Sequence, residues 1–116
     1  MEHAILFLSL LVAHAVCDYP LQGDFLAKAK NPAQPLPGVP WPWAMGAHAA
    51  IHAGAVAGAF AWRCGPAAGL LFGVVEFAMH FAIDYAKCRG AIGFSFDQVL
   101  HVWCKASYVL ALWLVQ

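Results

Sequence analysis

The sequence predicts an all-α protein, an antiparallel bundle of four transmembrane helices formed by a single domain, residues 1–116. Three observations predict it. The chain is 63% hydrophobic and only 10% charged, where a soluble domain carries about a quarter charged residues. Its apolar residues fall into four long segments divided by breaks rich in Pro, Gly and charge. Ionisable residues recur at every fourth position inside those segments, which on a helix puts them on one face about 6 Å apart along the axis.

The first segment covers about residues 3–19 and ends before Pro20, because the residue preceding a proline resists the helical region. It falls short of the roughly 20 residues of a full span. Met1-Glu2-His3 lacks the positive flank of a signal peptide, so the segment is expected to be retained. His3 is read as an incidental terminal residue. Residues 21–30, LQGDFLAKAK, read as a short interfacial piece, with Phe25, Leu26 and Ala29 on the membrane and Asp24, Lys28 and Lys30 in water. Residues 31–42 hold five prolines and form an extended linker with no helix. Trp41 and Trp43 suit an interfacial aromatic belt.

The second segment, about 43–62, is rich in Ala and Gly, and Gly54-x3-Gly58 is expected to permit close helix approach. Arg63-Cys-Gly-Pro66 forms a tight turn. The third segment covers about 67–87. A loop follows it, and the fourth covers about 96–115 with Ser95 as a candidate N-cap. Short connections imply antiparallel neighbours.

Each segment carries one spacing motif. They are His14-x3-Asp18, His48-x3-His52, Glu76-x3-His80-x3-Asp84 and Asp97-x3-His101. Charge facing lipid costs roughly 2.5–3.5 kcal/mol per residue even on the lenient insertion scale, so these stripes must face protein, water or metal. The motifs alternate between the C-terminal and N-terminal ends of successive segments. In an antiparallel bundle they therefore converge at one depth. Asp18, His48, Asp84 and Asp97 would form one layer, with His14, His52, His80 and His101 one turn deeper. Glu76 and Lys105 lie below the histidines, matched in depth and opposite in sign, and are expected to form an intramembrane ion pair.

Lys28, Lys30, Lys87 and Arg89 lie on the motif side and Arg63 opposite. The positive excess places the motif side in the cytoplasm. Net charge is zero, and no basic patch interleaved with aromatics points to nucleic acid. Of four cysteines, Cys17 and Cys104 each follow a motif histidine by three residues, but nothing forms a CxxC pair or a secretory disulfide pattern. They read as small apolar residues.

Imidazoles and carboxylates in this number are ligands for one or two divalent ions, Zn²⁺, Mn²⁺ or Fe²⁺. Two such ions can activate water and polarise a phosphoryl oxygen. The metal set is His14, Asp18, His48, His52, His80, Asp84, Asp97 and His101, with Asp18 or Asp97 as general base and Lys28, Lys30 or Lys87 as phosphate contacts. The expected function is a metal-dependent hydrolase of a membrane lipid or lipid-linked phosphate at the cytoplasmic face. The alternative is a metal or proton carrier, or a metal-stapled membrane subunit. An oxygen-activating di-iron site is a third option. Apolar outer halves such as Leu70–Val75 leave a carrier no polar path across, and four helices leave it little room unless the protein forms a homo-oligomer.

His14-x3-Asp18 with Leu21-Gln22 and Lys28, His48-x3-His52, His80-Phe-x2-Asp84-Tyr-x-Lys87 and Asp97-Gln98-x2-His101 together resemble a family of small bacterial and phage membrane proteins carried as a domain of unknown function. The resemblance covers nearly the whole chain and implies the four-helix membrane fold in the bacterial inner membrane. A looser similarity, in residue types, is to bacterial inner-membrane proteins labelled metal-dependent hydrolases.

Overall fold

The computed structural model describes residues 1–115, which form five helices and, among those residues, no strand. They are α1 (Glu2–Asp18), α2 (Gly23–Ala29), α3 (Trp41–Cys64), α4 (Pro66–Cys88) and α5 (Phe94–Val115). Helices α3, α4 and α5 are long and apolar enough to cross a membrane. At 22 to 24 residues each rises more than the roughly 30 Å of a hydrocarbon core. Helix α1 meets that standard only together with α2, and the two are bent by 84°.

Local chemistry sets the boundaries. Tyr19 and Pro20 stop α1, and Gly23, at φ +62°, turns the chain into α2. Helix α3 begins at Trp41, two residues earlier than the apolar pattern suggested, with Pro42 in its first turn. Proline is tolerated there because the first N–H groups have no intrahelical acceptor. Gly65 alone separates α3 from α4. Its φ of +92° is open to glycine at little cost, and Pro66 opens α4. A Schellman motif closes α4: Gly90 N–H donates to Lys87 O and Ala91 N–H to Ala86 O, both at 2.9 Å. Helix α5 starts at Phe94, with Asp97 N–H donating to Gly93 O at 3.0 Å. Ser95 therefore sits inside the first turn and is not the N-cap.

The long helices contact one another in the cycle α1–α3–α4–α5–α1. The α3–α4 pair is the tightest, but the expected glycines do not make it so. A Cβ built on Gly54 or Gly58 would meet nothing within 4 Å. Gly69 and Gly73 of α4 are the close-contact positions. A Cβ there would lie 2.6 Å from Ala61 Cβ and 2.8 Å from Ala57 Cβ, respectively. The Gly-x3-Gly logic holds, on the partner helix, because Gly65 turns the chain back so sharply that α4 approaches α3 at its own small residues.

The interior is divided along the helix axes. One half is apolar, with Leu6, Leu10, Val56, Phe60, Tyr108, Val109 and Leu112 packed together and Phe60 stacked on Phe72 at 3.9 Å. The other half is polar. Among the described residues, ten polar or charged side chains are buried while residues such as Leu8, Leu70, Val99, Trp103 and Trp113 are exposed. Soluble domains show the reverse arrangement.

A polar cluster and candidate metal centre

Helix spacing brings the motifs together. Helix α1 contributes His14 and Asp18, α3 His48 and His52, α4 Glu76, His80 and Asp84, and α5 Asp97 and His101. All of these are buried apart from Asp18, whose side chain is 12% exposed at the rim. The rings of His14, His52, His80 and His101 have neighbouring centroids 3.6–5.9 Å apart. Beside them, Asp18 and Asp84 each approach His48 Nε2 at 3.4 Å, and Asp84 approaches His101 Nε2 at 3.3 Å.

Three groupings hold ligand atoms within 4.8 Å of one another: Asp18, His48, His52 and His80; His14, His80 and His101; and Asp84, Asp97 and His101. They differ in what already occupies their lone pairs. Asp84 receives Lys30 and also lies 3.7 Å from Lys87 Nζ. Asp97 accepts from Lys87 Nζ at 2.9 Å and from Gln98 Nε2 at 3.0 Å. Glu76 accepts from Lys105 Nζ at 2.5 Å and from the Tyr108 hydroxyl at 3.0 Å. Asp18 has no lysine against it. Gln98 Nε2 reaches it at 3.3 Å, and otherwise it faces imidazoles.

Those imidazole contacts are close but badly aimed as hydrogen bonds. His52 Nε2 lies 3.1 Å from Asp18 Oδ1 and His14 Nε2 lies 3.3 Å from Asp18 Oδ2. Neither nitrogen has a hydrogen-bond partner in acceptable geometry. Buried polar atoms are otherwise almost always paired. His48 Nε2 and His80 Nε2 face each other at 3.1 Å. Two nitrogens on a tetrahedral ion with bonds of 2.0–2.1 Å stand about 3.3 Å apart; the Asp18–His48, Asp18–His52 and His48–His80 separations of 3.4, 3.1 and 3.1 Å are close to that edge, and all four ligand atoms lie within 4.8 Å of one another.

Lys30 corrects an expectation. It does not meet water beside Lys28 but is 4% exposed and paired with Asp84, and Ala29 next to it is fully buried rather than on the membrane. The bend between α1 and α2 lays the end of α2 across the cluster, where a buried carboxylate attracts the ammonium more strongly than bulk water holds it. Lys87 is half-buried between Asp84 and Asp97. Lys28 is exposed. Cys17 and Cys104 are buried with free thiols outside all three groupings, and the Cys17 thiol points at Ile51 O at 3.9 Å. His3 lies at the far end of α1.

A family model described as "Protein of unknown function (DUF3307)" matches residues 6–116. The chain belongs to that family. No curated protein and no solved structure matches it. In this DUF3307 chain the residues missed from the sequence are Lys30, Gln98 and Tyr108 in their roles as carboxylate partners. Tyr108 follows Lys105 by three positions, so helical spacing alone would have placed it beside Glu76. Nothing local would have placed Lys30.

Proposed function

We propose that this is an integral membrane metal-binding protein whose cluster holds one divalent ion and serves a metal-dependent hydrolase. The observation that carries the reading is Asp18. Around the cluster four carboxylates (Asp18, Glu76, Asp84, Asp97) meet three ammonium groups (Lys30, Lys87, Lys105). Asp18 is the carboxylate without a lysine, and it lies among unaligned imidazole nitrogens. A buried negative charge without a partner is costly, and a dication on Asp18, His48, His52 and His80 supplies the missing charge. An ion on Asp84, Asp97 and His101 would first have to displace Lys30 and Lys87, which supports one ion over two. Three nitrogens and one oxygen suit Zn²⁺, with Fe²⁺ and Mn²⁺ as the alternatives.

In this reading α3, α4, α5 and the bent α1–α2 pair are the four spans of an antiparallel bundle in the bacterial inner membrane. The site opens to the cytoplasm, beside the exposed cations Lys28 and Arg89. Four protein ligands fill a tetrahedral ion, so for the ion to act as a Lewis acid and lower the pKa of water it would take that water as a fifth ligand. Lys87 already engages Asp97, so the proton acceptor would be the Asp18 oxygen not given to the ion, at the rim of the cluster. Of Lys28, Lys30 and Lys87, Lys28 is the exposed one and is the candidate contact for the phosphate of a lipid or lipid-linked substrate, while Lys30 is paired with Asp84 and Lys87 is held between two carboxylates. A second reading, an ion that only staples the helices together, is favoured by the near-complete burial of the three histidines.

Elemental analysis of purified protein tests the ion directly. Wild type is expected to carry about one transition metal per chain. Asp18→Ala and His52→Ala are expected to lose it, and hydrolysis of lipid phosphates in vesicles should fall with it. Equal metal content in all three proteins ends the metal reading, and metal loss without any hydrolysis in wild type leaves the staple.

A further inference from the structure

We propose that Glu76 is a positioning residue for the metal site, acting through His80; the inference rests on the metal reading above. His80 belongs to two of the three ligand groupings, so its orientation affects whichever of them takes the ion. Its Nδ1 lies 3.3 Å from Glu76 Oε1, one helical turn away, and both residues are at most 1% exposed. Glu76 is ion-paired with Lys105, and an ionised carboxylate can only accept. The proton of neutral His80 is therefore on Nδ1, and the lone pair is on Nε2, which faces His48 Nε2 and the Asp18 grouping.

Lys105 and Tyr108 complete the arrangement. They donate to Glu76 Oε1 and Oε2 respectively, which fixes the carboxylate plane from both sides. The chain Lys105/Tyr108 to Glu76 to His80 is thus a carboxylate–imidazole relay behind a ligand, the arrangement by which metal sites set a histidine's tautomer and ring angle. A mere structural ion pair would need neither the His80 contact nor the tyrosine.

Two double variants separate the roles. Glu76→Gln/Lys105→Met and Glu76→Leu/Lys105→Met both remove the ion pair whole and leave no unmatched charge. The glutamine oxygen still accepts from His80 Nδ1–H, and leucine offers no acceptor. Affinity for Zn²⁺ is read by chelator competition in detergent, and the ligand field by the Co²⁺ spectrum. The leucine variant is expected to bind about 10–100-fold more weakly than wild type, while the glutamine variant stays close to it. Equal affinities and unchanged Co²⁺ spectra in both variants overturn the proposal and leave the metal reading intact. A wild type that binds no metal overturns the metal reading itself. Side-chain ¹⁵N spectra of the metal-free wild type require no variant: a proton on His80 Nδ1 supports the proposal, and a proton on Nε2 overturns it.

Discussion

The two halves of the helix assembly share the same four long helices and an apolar outer surface, yet their interiors follow opposite rules. In the half around Phe60 and Leu112, side chains fit one another by shape, with Phe60 and Phe72 stacked and Leu6, Leu10 and Val56 around them. In the half around Asp84 and His80, groups are fixed by pairwise charge and hydrogen bonding, and each carboxylate except Asp18 has its own lysine. In lipid, apolar surface gains little by moving inward, so packing must come from contact and close approach. Polar groups gain a great deal by moving inward together. Substitution should therefore be graded and local in the first half. In the second it should depend on whether a partner is left behind.

The largest effect that would break this contrast is at Asp84. Asp84→Leu strands Lys30 in a buried site and is expected to cost about 3–5 kcal/mol in denaturant unfolding from micelles. The double variant Lys30→Met/Asp84→Leu should recover most of it. A double variant as unstable as the single one would mean that the polar half is not organised by pairs. Next in size, Phe60→Ala opens a cavity against Phe72 and should cost about 3 kcal/mol, with metal content unchanged. Metal loss in that variant would show the halves to be coupled.

The smallest effect sharpens the comparison within the helix contacts. Gly73→Ala puts a Cβ 2.8 Å from Ala57 Cβ and 3.3 Å from Ala53 O, and should cost about 1–3 kcal/mol by overpacking. Gly54→Ala meets nothing within 4 Å and should be neutral in the same assay. Reversal of that order would place the helix contact at Gly54 and Gly58.

Much of the cluster could be read without coordinates. His14, Asp18, His48, His52, His80, Asp84, Asp97 and His101 were recognisable because a fixed helical period turns i, i+4 spacing into a shared face. Their alternation between segment ends then needed only antiparallel neighbours. Helix boundaries were read to within about two residues, and the misses have local causes: Pro42 is permitted in a first turn, and Gly93 rather than Ser95 precedes α5. The glycines of the α3–α4 contact were misread because spacing identifies a close-packing stripe without saying which way it faces. Lys30 was misread because its surroundings depend on the 84° bend between α1 and α2.

The sequence by itself determined the helices, their apolar exteriors and the face on which each polar stripe lies, because those follow from the covalent period of the α-helix and the cost of charge in lipid. Tertiary structure alone decided which carboxylate kept a lysine and which did not. That choice depends on where a bent short helix and a half-buried Lys87 deliver their ammonium groups, and such distances between segments far apart in the chain are set only once the helices have packed.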